Sequence, residues 1–514
     1  MLRPEIIFTD YMVLQQNKKI RVFGEASDNT QVSVTIKKAD GDVSAKANSL
    51  NGRFEVELPK LKATKLNEEV SMEITDGIDT VIFNHIAIGE VFLAGGQSNM
   101  ELELQNAEGG RDILDEPLSD NDIRSCLRYF YTPKVAYKDD EYESKMREGN
   151  WKKYSKENAA NWSAVGYFFA LNLAKKLNVT VGIIGCNWGG TLASCWMSRE
   201  VLLTKFSTKN YVLEYENSTN FKKSFEEQKA DYDYYLKYQE AWDMRAAQLY
   251  EKEPMMPFDR VQIAIGKCEY PGPVNCVNYV RPYGLYETML KRIAPYTLGG
   301  VIYYQGESDE NNPDAYYDLQ TLLIMNWRED FKDPTLPFIM TQLPMHRYNH
   351  DADTRSWCKI REAQMRVYND LKNTGIAVII DCGKFHEIHP PRKNEVGERL
   401  ANQALLHIYH LVKEDDVFGP IYRDYEILDG AIRIIFDYME DGVDIRSDEI
   451  EFEVADETGS YKKATAKFMN NTVTLTSDEV AQPVRARYLW KNYTEVNVFG
   501  KNGMPMAPFR THKD

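Results

Sequence analysis

The stretch Val91-Phe92-Leu93-Ala94-Gly95-Gly96-Gln97-Ser98-Asn99-Met100-Glu101 decides the fold. Its apolar run reads as a strand buried on both faces. Two glycines break the run, a serine follows, and polar or helix-forming residues continue to Leu104. A serine at a sharp strand-to-helix turn is well placed to act as a nucleophile. The glycines permit the turn, and the helix start offers free backbone N–H groups to a developing negative charge. An ordinary strand-to-helix loop with a capping serine has the same pattern, so other stretches must decide between the two.

Outward from this stretch, residues from about 89 to 410 alternate apolar runs with amphipathic segments. Val165 to Lys176 predicts a helix with Phe168, Leu171, Leu173 and Ala174 as its apolar positions, and it leads into a buried strand from Thr180 to Gly185. Leu298 to Tyr304, Pro337 to Gln342 and Gly375 to Ile380 are further buried-strand runs, with helix candidates at Ala315 to Phe331 and Ser356 to Leu371. Near-continuous apolar strands joined by helices predict an α/β fold, a parallel sheet with helices on both faces. A helical insertion at about 201–280 contains a tyrosine-rich helix over 221–253, with Tyr232, Tyr234, Tyr235, Tyr238 and Tyr250. Those rings read as packing along a helix seam in preference to a carbohydrate platform.

Both ends of the chain read as β structure. In residues 1–88, short runs such as Ile20 to Phe23, Val32 to Ile36, Phe54 to Leu58, Ser71 to Ile74 and Thr80 to Phe83 are rich in Val, Ile, Phe and Thr. Turn signals separate them, among them Asp40-Gly41, Asn51-Gly52 and Asp76-Gly77. Residues 411–514 repeat the pattern at Ala431 to Phe436, Ile450 to Val454, Thr472 to Thr476 and Val484 to Trp490. The expected organisation is a β-sandwich domain at 1–88, an α/β domain at 89–410 and a C-terminal β domain at 411–514.

Composition excludes several classes. The 514 residues include 62 Lys and Arg against 78 Asp and Glu, a formal net charge of −16, which argues against a nucleic-acid partner. No apolar run is long enough to span a membrane. Met1-Leu2-Arg3-Pro4-Glu5 lacks the apolar core of a secretion signal. The expected location is therefore cytoplasmic, or periplasmic or secreted if a leader has been removed. Seven cysteines spread from Cys126 to Cys382 without a CxxC pair, which suggests reduced thiols and neither a disulfide framework nor a zinc site. Oligomeric state is not legible.

Three later stretches bear on Ser98. Asn187-Trp188-Gly189-Gly190-Thr191 follows a strand, and its glycines expose backbone N–H groups suited to an oxyanion hole. Tyr303-Tyr304-Gln305-Gly306-Glu307-Ser308-Asp309 follows another strand, and the Gln305 amide is a further possible donor. His386-Glu387-Ile388-His389-Pro390-Pro391 lies beyond the last strand, where a histidine on a loop can reach a serine beyond the first.

Gly96-Gln97-Ser98-Asn99-Met100, Gly189-Gly190-Thr191, Tyr304-Gln305-Gly306-Glu307-Ser308 and Ile388-His389-Pro390 resemble, in order, the signature blocks of the SGNH-type carbohydrate acetylesterases, and most closely the sialate O-acetylesterase family. Met12-Val13-Leu14-Gln15-Gln16, Val22-Phe23-Gly24-Glu25-Ala26, Arg281-Pro282-Tyr283-Gly284-Leu285-Tyr286, Arg487-Tyr488-Leu489-Trp490 and Pro508-Phe509-Arg510-Thr511 extend the likeness over nearly the whole chain.

The resemblance implies a serine esterase that removes O-acetyl groups from carbohydrate, sialic acid first among the candidates. Ser98 would be the nucleophile and His389 the general base. The Ser98 and Gly190 N–H groups with the Gln305 side chain would form the oxyanion hole. It implies an acetylated sugar as partner and no metal or cofactor. Acetylxylan or acetylmannan esterase activity fits the same blocks, and a carbohydrate-binding protein is the non-enzyme alternative. The third triad member departs from the pattern: many SGNH hydrolases carry Asp three residues before the catalytic histidine, where this chain has His386. Glu387, the His386 backbone carbonyl and Asp381 are the alternatives for orienting His389.

Overall fold

The strand Thr80–Gly96 leads directly into Gln97 and Ser98. The computed structural model describes residues 1–512 apart from 120, 255 and 349–351. The chain divides into two units, Met1–Ser308 with Asp318–Phe338, and Asp309–Tyr317 with Ile339–Asp514.

In the first unit, Thr80–Gly96 changes character along its length. From Thr80 to His85 exposure alternates, and from Ile86 to Gly96 every residue is buried. The outer half pairs antiparallel with Val70–Thr75. The inner half pairs parallel with Val181–Asn187 on one side and Gly300–Tyr304 on the other. A strand with a parallel neighbour on each side and covered faces needs the continuous apolar run that Val91 to Ala94 supplies. Val181–Asn187 also pairs parallel with Leu127–Tyr131, and Trp151–Lys153 adds an antiparallel edge. The sheet is therefore mixed, where the sequence predicts a parallel one. The antiparallel edge strand has only three residues, too few to show a period of its own.

Helix Ala164–Leu177 returns the chain to Val181–Asn187. Ser163 caps it, its Oγ accepting the Gly166 N–H at 3.0 Å, and Asn178 ends it in the left-handed region at φ 54°. Its buried face places the Phe169 ring 4.8 Å from that of Phe92, edge to face.

Towards the N-terminus the strands Leu2–Pro4, Ile20–Ala26 and Arg53–Leu58 form one antiparallel sheet, and Gln31–Lys37 pairs with both Val43–Asn48 and Val70–Thr75. In the insertion, helix Phe225–Lys252 starts on a capping box between Ser224 and Glu227 and buries only a narrow stripe of Gln228, Tyr235, Trp242 and Ala246. Its tyrosines mostly pack. Tyr235 is buried, Tyr238 donates to the Lys267 carbonyl at 2.6 Å, and Tyr250 lies against the Trp242 cluster, whereas Tyr234 is 74% exposed.

In the second unit residues 339–342 of the strand Phe338–Gln342 neighbour Thr374–Val378, and the helices Ser356–Asp370 and Asn394–His407 pack beside the latter. Two four-stranded antiparallel sheets follow, one containing Ala431–Asp437 and Thr472–Thr476, the other Phe452–Ala455 and Arg485–Tyr488. Ile432, Ile434, Phe436, Phe452, Val473, Leu475 and Tyr488 share one core with Val378 and Ile380. The fold is thus mixed α/β with antiparallel C-terminal sheets. The seven cysteines form no disulfide among the described residues. Among the described residues no helix is long and apolar enough to cross a membrane.

Candidate active site

The turn at the end of Thr80–Gly96 is fixed by backbone contacts. Gly96 has φ 139°, and a β-carbon there would lie 2.1 Å from the Tyr304 carbonyl oxygen, so only glycine fits. The Gln97 N–H donates to that same carbonyl at 3.2 Å, and the Trp188 N–H donates to the Gly96 carbonyl at 3.2 Å. The Gln97 carboxamide spans to Ser308, donating to its Oγ and accepting its N–H, both at 3.2 Å. These bonds tie together the ends of three parallel strands, the edge where open α/β sheets build sites.

Ser98 opens the one-turn helix Ser98–Glu101 and is half-buried. Glu101, in the same turn, accepts the Gly189 N–H on Oε2 at 2.6 Å and pairs through Oε1 with Lys134. Gly189 sits directly against the serine: a β-carbon on it would lie 3.2 Å from Ser98 Cβ. Gly190 follows in the left-handed region at φ 74°, and its N–H has no hydrogen-bond partner among the described residues. A free N–H beside a helix-start serine is what an oxyanion hole requires. Gln305 is buried, and its Nε2 donates to the Thr191 carbonyl at 3.2 Å, which holds the amide against the Gly189–Thr191 loop. Ser98, Gly190 and Gln305 therefore come together in the first unit.

Several supporting groups were not singled out from sequence. Asn99 Nδ2 donates to Glu307 Oε1 at 2.6 Å, a buried bond between the serine turn and the Gln305 loop. Asn187 donates to the Ala94 carbonyl at 3.0 Å and accepts the Tyr131 hydroxyl at 2.7 Å. The available signal was their adjacency to the glycine-bearing blocks. Cys186, also next to that loop, is fully buried, and burial pushes its thiol up to about 12, so it offers no thiolate.

His389 and Glu387 lie together in the second unit. His389 is exposed, and Glu387 Oε1 accepts its backbone N–H at 2.8 Å. The carboxylate thus fixes the loop at the histidine's main chain. Asp381 is committed elsewhere: Arg399 binds both its oxygens, at 2.5 and 2.8 Å, and the two side chains are largely shielded from solvent. His346 is a further buried histidine of this unit. Its ring lies 5.1 Å from that of Trp357, and burial pushes its imidazole down to about 4, opposed by the backbone of Lys384 and Glu387. Among the described residues no group of three or more His, Cys, Asp or Glu could hold a metal ion.

Residues 200–406 match the family model described as carbohydrate esterase, sialic acid-specific acetylesterase. Over nearly the full length, a solved carbohydrate acetylesterase from Xanthomonas citri superposes with a TM-score of 0.76 at 26% identity, covering 99% of this chain and 100% of that one. The chain is similar to the sialic acid-specific acetylesterase family over residues 200–406. It is a carbohydrate esterase, a carboxylic ester hydrolase. Its curated relatives are distant. Sialate O-acetylesterase of Mus musculus is 25% identical over 457 residues, 83% of this chain and 77% of that protein. The Homo sapiens protein of the same name is 24% identical over 445 residues, 81% and 73% of the two chains. The family match includes Gln305 and His389, and the Xanthomonas superposition extends the likeness to the region of Ser98.

Proposed function

We propose that this acetylesterase removes O-acetyl groups from sialic acid through a serine nucleophile on an SGNH-type sheet. The observation that carries the mechanism is Ser98 at a helix start, packed against Gly189 and next to the Gly190 N–H, which has no hydrogen-bond partner among the described residues. The sialate assignment is supported by the family match and by the names of the curated relatives.

In this mechanism Ser98 Oγ attacks the acetyl carbonyl carbon while His389 takes the hydroxyl proton. The carbonyl π electrons move to oxygen, and the Ser98 and Gly190 N–H groups with the Gln305 amide stabilise the oxyanion. Each such donor contributes about 3 kcal/mol in the transition state. Collapse breaks the bond to the sugar oxygen, which receives the proton from His389. Water, activated by the same imidazole, then hydrolyses the acetyl-enzyme to acetate. Glu387 contributes by fixing the His389 main chain. The 1–88, 89–410 and 411–514 divisions are the proposed domain organisation, with the first boundary inside the strand Thr80–Gly96.

The test is acetate release from a panel of O-acetylated sialic acids, acetylated xylan and acetylated mannan. A kcat/KM highest on the sialates is expected. A preference for xylan or mannan would move the assignment to those sugars, and binding without turnover would favour a carbohydrate-binding role.

A further inference from the structure

The insertion brings a group of aromatic rings to the loop that faces Ser98. A β-carbon on Gly190 would lie 2.0 Å from the Tyr270 hydroxyl oxygen and 3.6 Å from that of Tyr279. Trp188, two residues before Gly190, stacks on Tyr279 with centroids 4.6 Å apart and ring planes within 5°. The Tyr279 hydroxyl is pushed up by burial, with the phenols of Tyr270, Tyr232 and Tyr235 around it. Yet the cluster is not sealed into the core: Tyr270 is 53% exposed, and Trp188 and Tyr279 are only half-buried.

The cluster is also held rigidly. Asn278 donates to the carbonyls of Pro271 and Pro273, each at 3.1 Å, and accepts the Val280 N–H at 3.0 Å. Asn275 Nδ2 donates to the Gln228 carbonyl at 2.9 Å, and the Cys276 N–H donates to Gln228 Oε1 at 2.8 Å, which anchors the segment to helix Phe225–Lys252. The Tyr235 ring fills the space where a side chain on Gly272 would go.

We propose that Trp188, Tyr270 and Tyr279 form a stacking subsite for the sugar that leaves as the ester is cleaved. This rests on the reading of the protein as a carbohydrate deacetylase. The argument is one of reach. An acetyl group is only two carbons long, so an ester whose carbonyl meets Ser98 and whose oxyanion meets Gly190 carries its alcohol within a few ångströms of both. The Tyr270 and Tyr279 hydroxyls beside Gly190 bring their rings to the border of that region. Flat, half-exposed aromatic surface matches the C–H face of a pyranose, and the two phenol hydroxyls at its rim can exchange hydrogen bonds with sugar hydroxyls. A ring held in place before binding loses little conformational entropy when it stacks.

The experiment compares kcat/KM on sugar esters, 5-N-acetyl-9-O-acetylneuraminic acid and O-acetylated xylotetraose, with kcat/KM on ethyl acetate, whose leaving group has no ring to stack. The ratio of sugar ester to ethyl acetate does not depend on how much of a variant is folded. Tyr270→Ala and Tyr279→Ala are expected to lower the ratio about tenfold or more, and Tyr270→Phe, which keeps the ring, to restore it to within about threefold of the wild type. A ratio unmoved in both alanine variants would overturn the subsite and leave the cluster as packing. Wild-type turnover of ethyl acetate with none of either sugar ester would overturn the carbohydrate reading itself, and the subsite with it.

Discussion

Glu101 Oε2 accepts the Gly189 N–H at 2.6 Å, joining the turn that carries Ser98 to the loop that carries Gly190. A carboxylate paired with Lys134 on its other oxygen holds this loop at a fixed distance from the serine. Charge-assisted bonds of this kind are stronger than neutral ones.

Glu101→Ala is therefore expected to lower kcat by about ten- to a hundredfold with a smaller change in KM, because the Gly190 donor is displaced from the oxyanion it meets only in the transition state. Glu101→Gln keeps an acceptor for Gly189 and should retain most of the rate. Steady-state kinetics on one acetyl ester for the three proteins decide the matter. Equal loss in both variants would assign the effect to the Lys134 pair.

Much of this arrangement was legible in the sequence, and the limits have physical causes. The strands that flank Thr80–Gly96 were readable because a strand covered on both faces must be apolar throughout. The boundary expected near residue 88 falls within one continuous strand. Asn84 and His85 interrupt the apolar pattern there, with His85 left-handed at φ 58° and a register shift opposite Val70 and Met72. A pattern break reads the same whether the chain leaves the sheet or bulges within it. The Glu101–Gly189 bond joins residues 88 positions apart, and no periodicity reports such a contact. The same holds for Tyr270 against Gly190. The tyrosines of helix Phe225–Lys252 read as packing from their amphipathic setting, whereas Trp188, Tyr270 and Tyr279 lie outside that helix, on segments with no regular period.

Glu387→Gln is expected to cost about tenfold or less in kcat. The carboxylate oxygen that accepts the His389 main-chain N–H at 2.8 Å becomes an amide oxygen that can still accept it. His389→Ala, measured beside it, should abolish turnover. In a serine-protease triad, where the acid orients the imidazole directly, the corresponding carboxylate-to-amide change costs about 10⁴-fold. A loss of that size in Glu387→Gln would mean that its charge acts on the imidazole ring.

His346 gives a pH prediction. Its imidazole is held down to about 4 by burial, while an unfolded histidine titrates near 6.5, so the unfolded chain binds more protons between these values. The neutral buried ring thus contributes stability that is fully present above about pH 6.5 and is lost as pH falls towards 4. The two values set an upper limit of about 3 kcal/mol on the contribution. His346→Phe should flatten the fall in urea midpoint between pH 6.5 and 4 relative to wild type. An unchanged slope would show that other groups, such as the half-buried His407, account for it.

The central claim is that Ser98 is the nucleophile, and covalent labelling tests it most directly. A fluorophosphonate that inactivates the enzyme should add its mass at one residue, with peptide mapping placing it on Ser98, and Ser98→Ala should fold, take up no label and lose esterase activity. A label on another serine, or near-wild-type turnover by Ser98→Ala, would contradict the account.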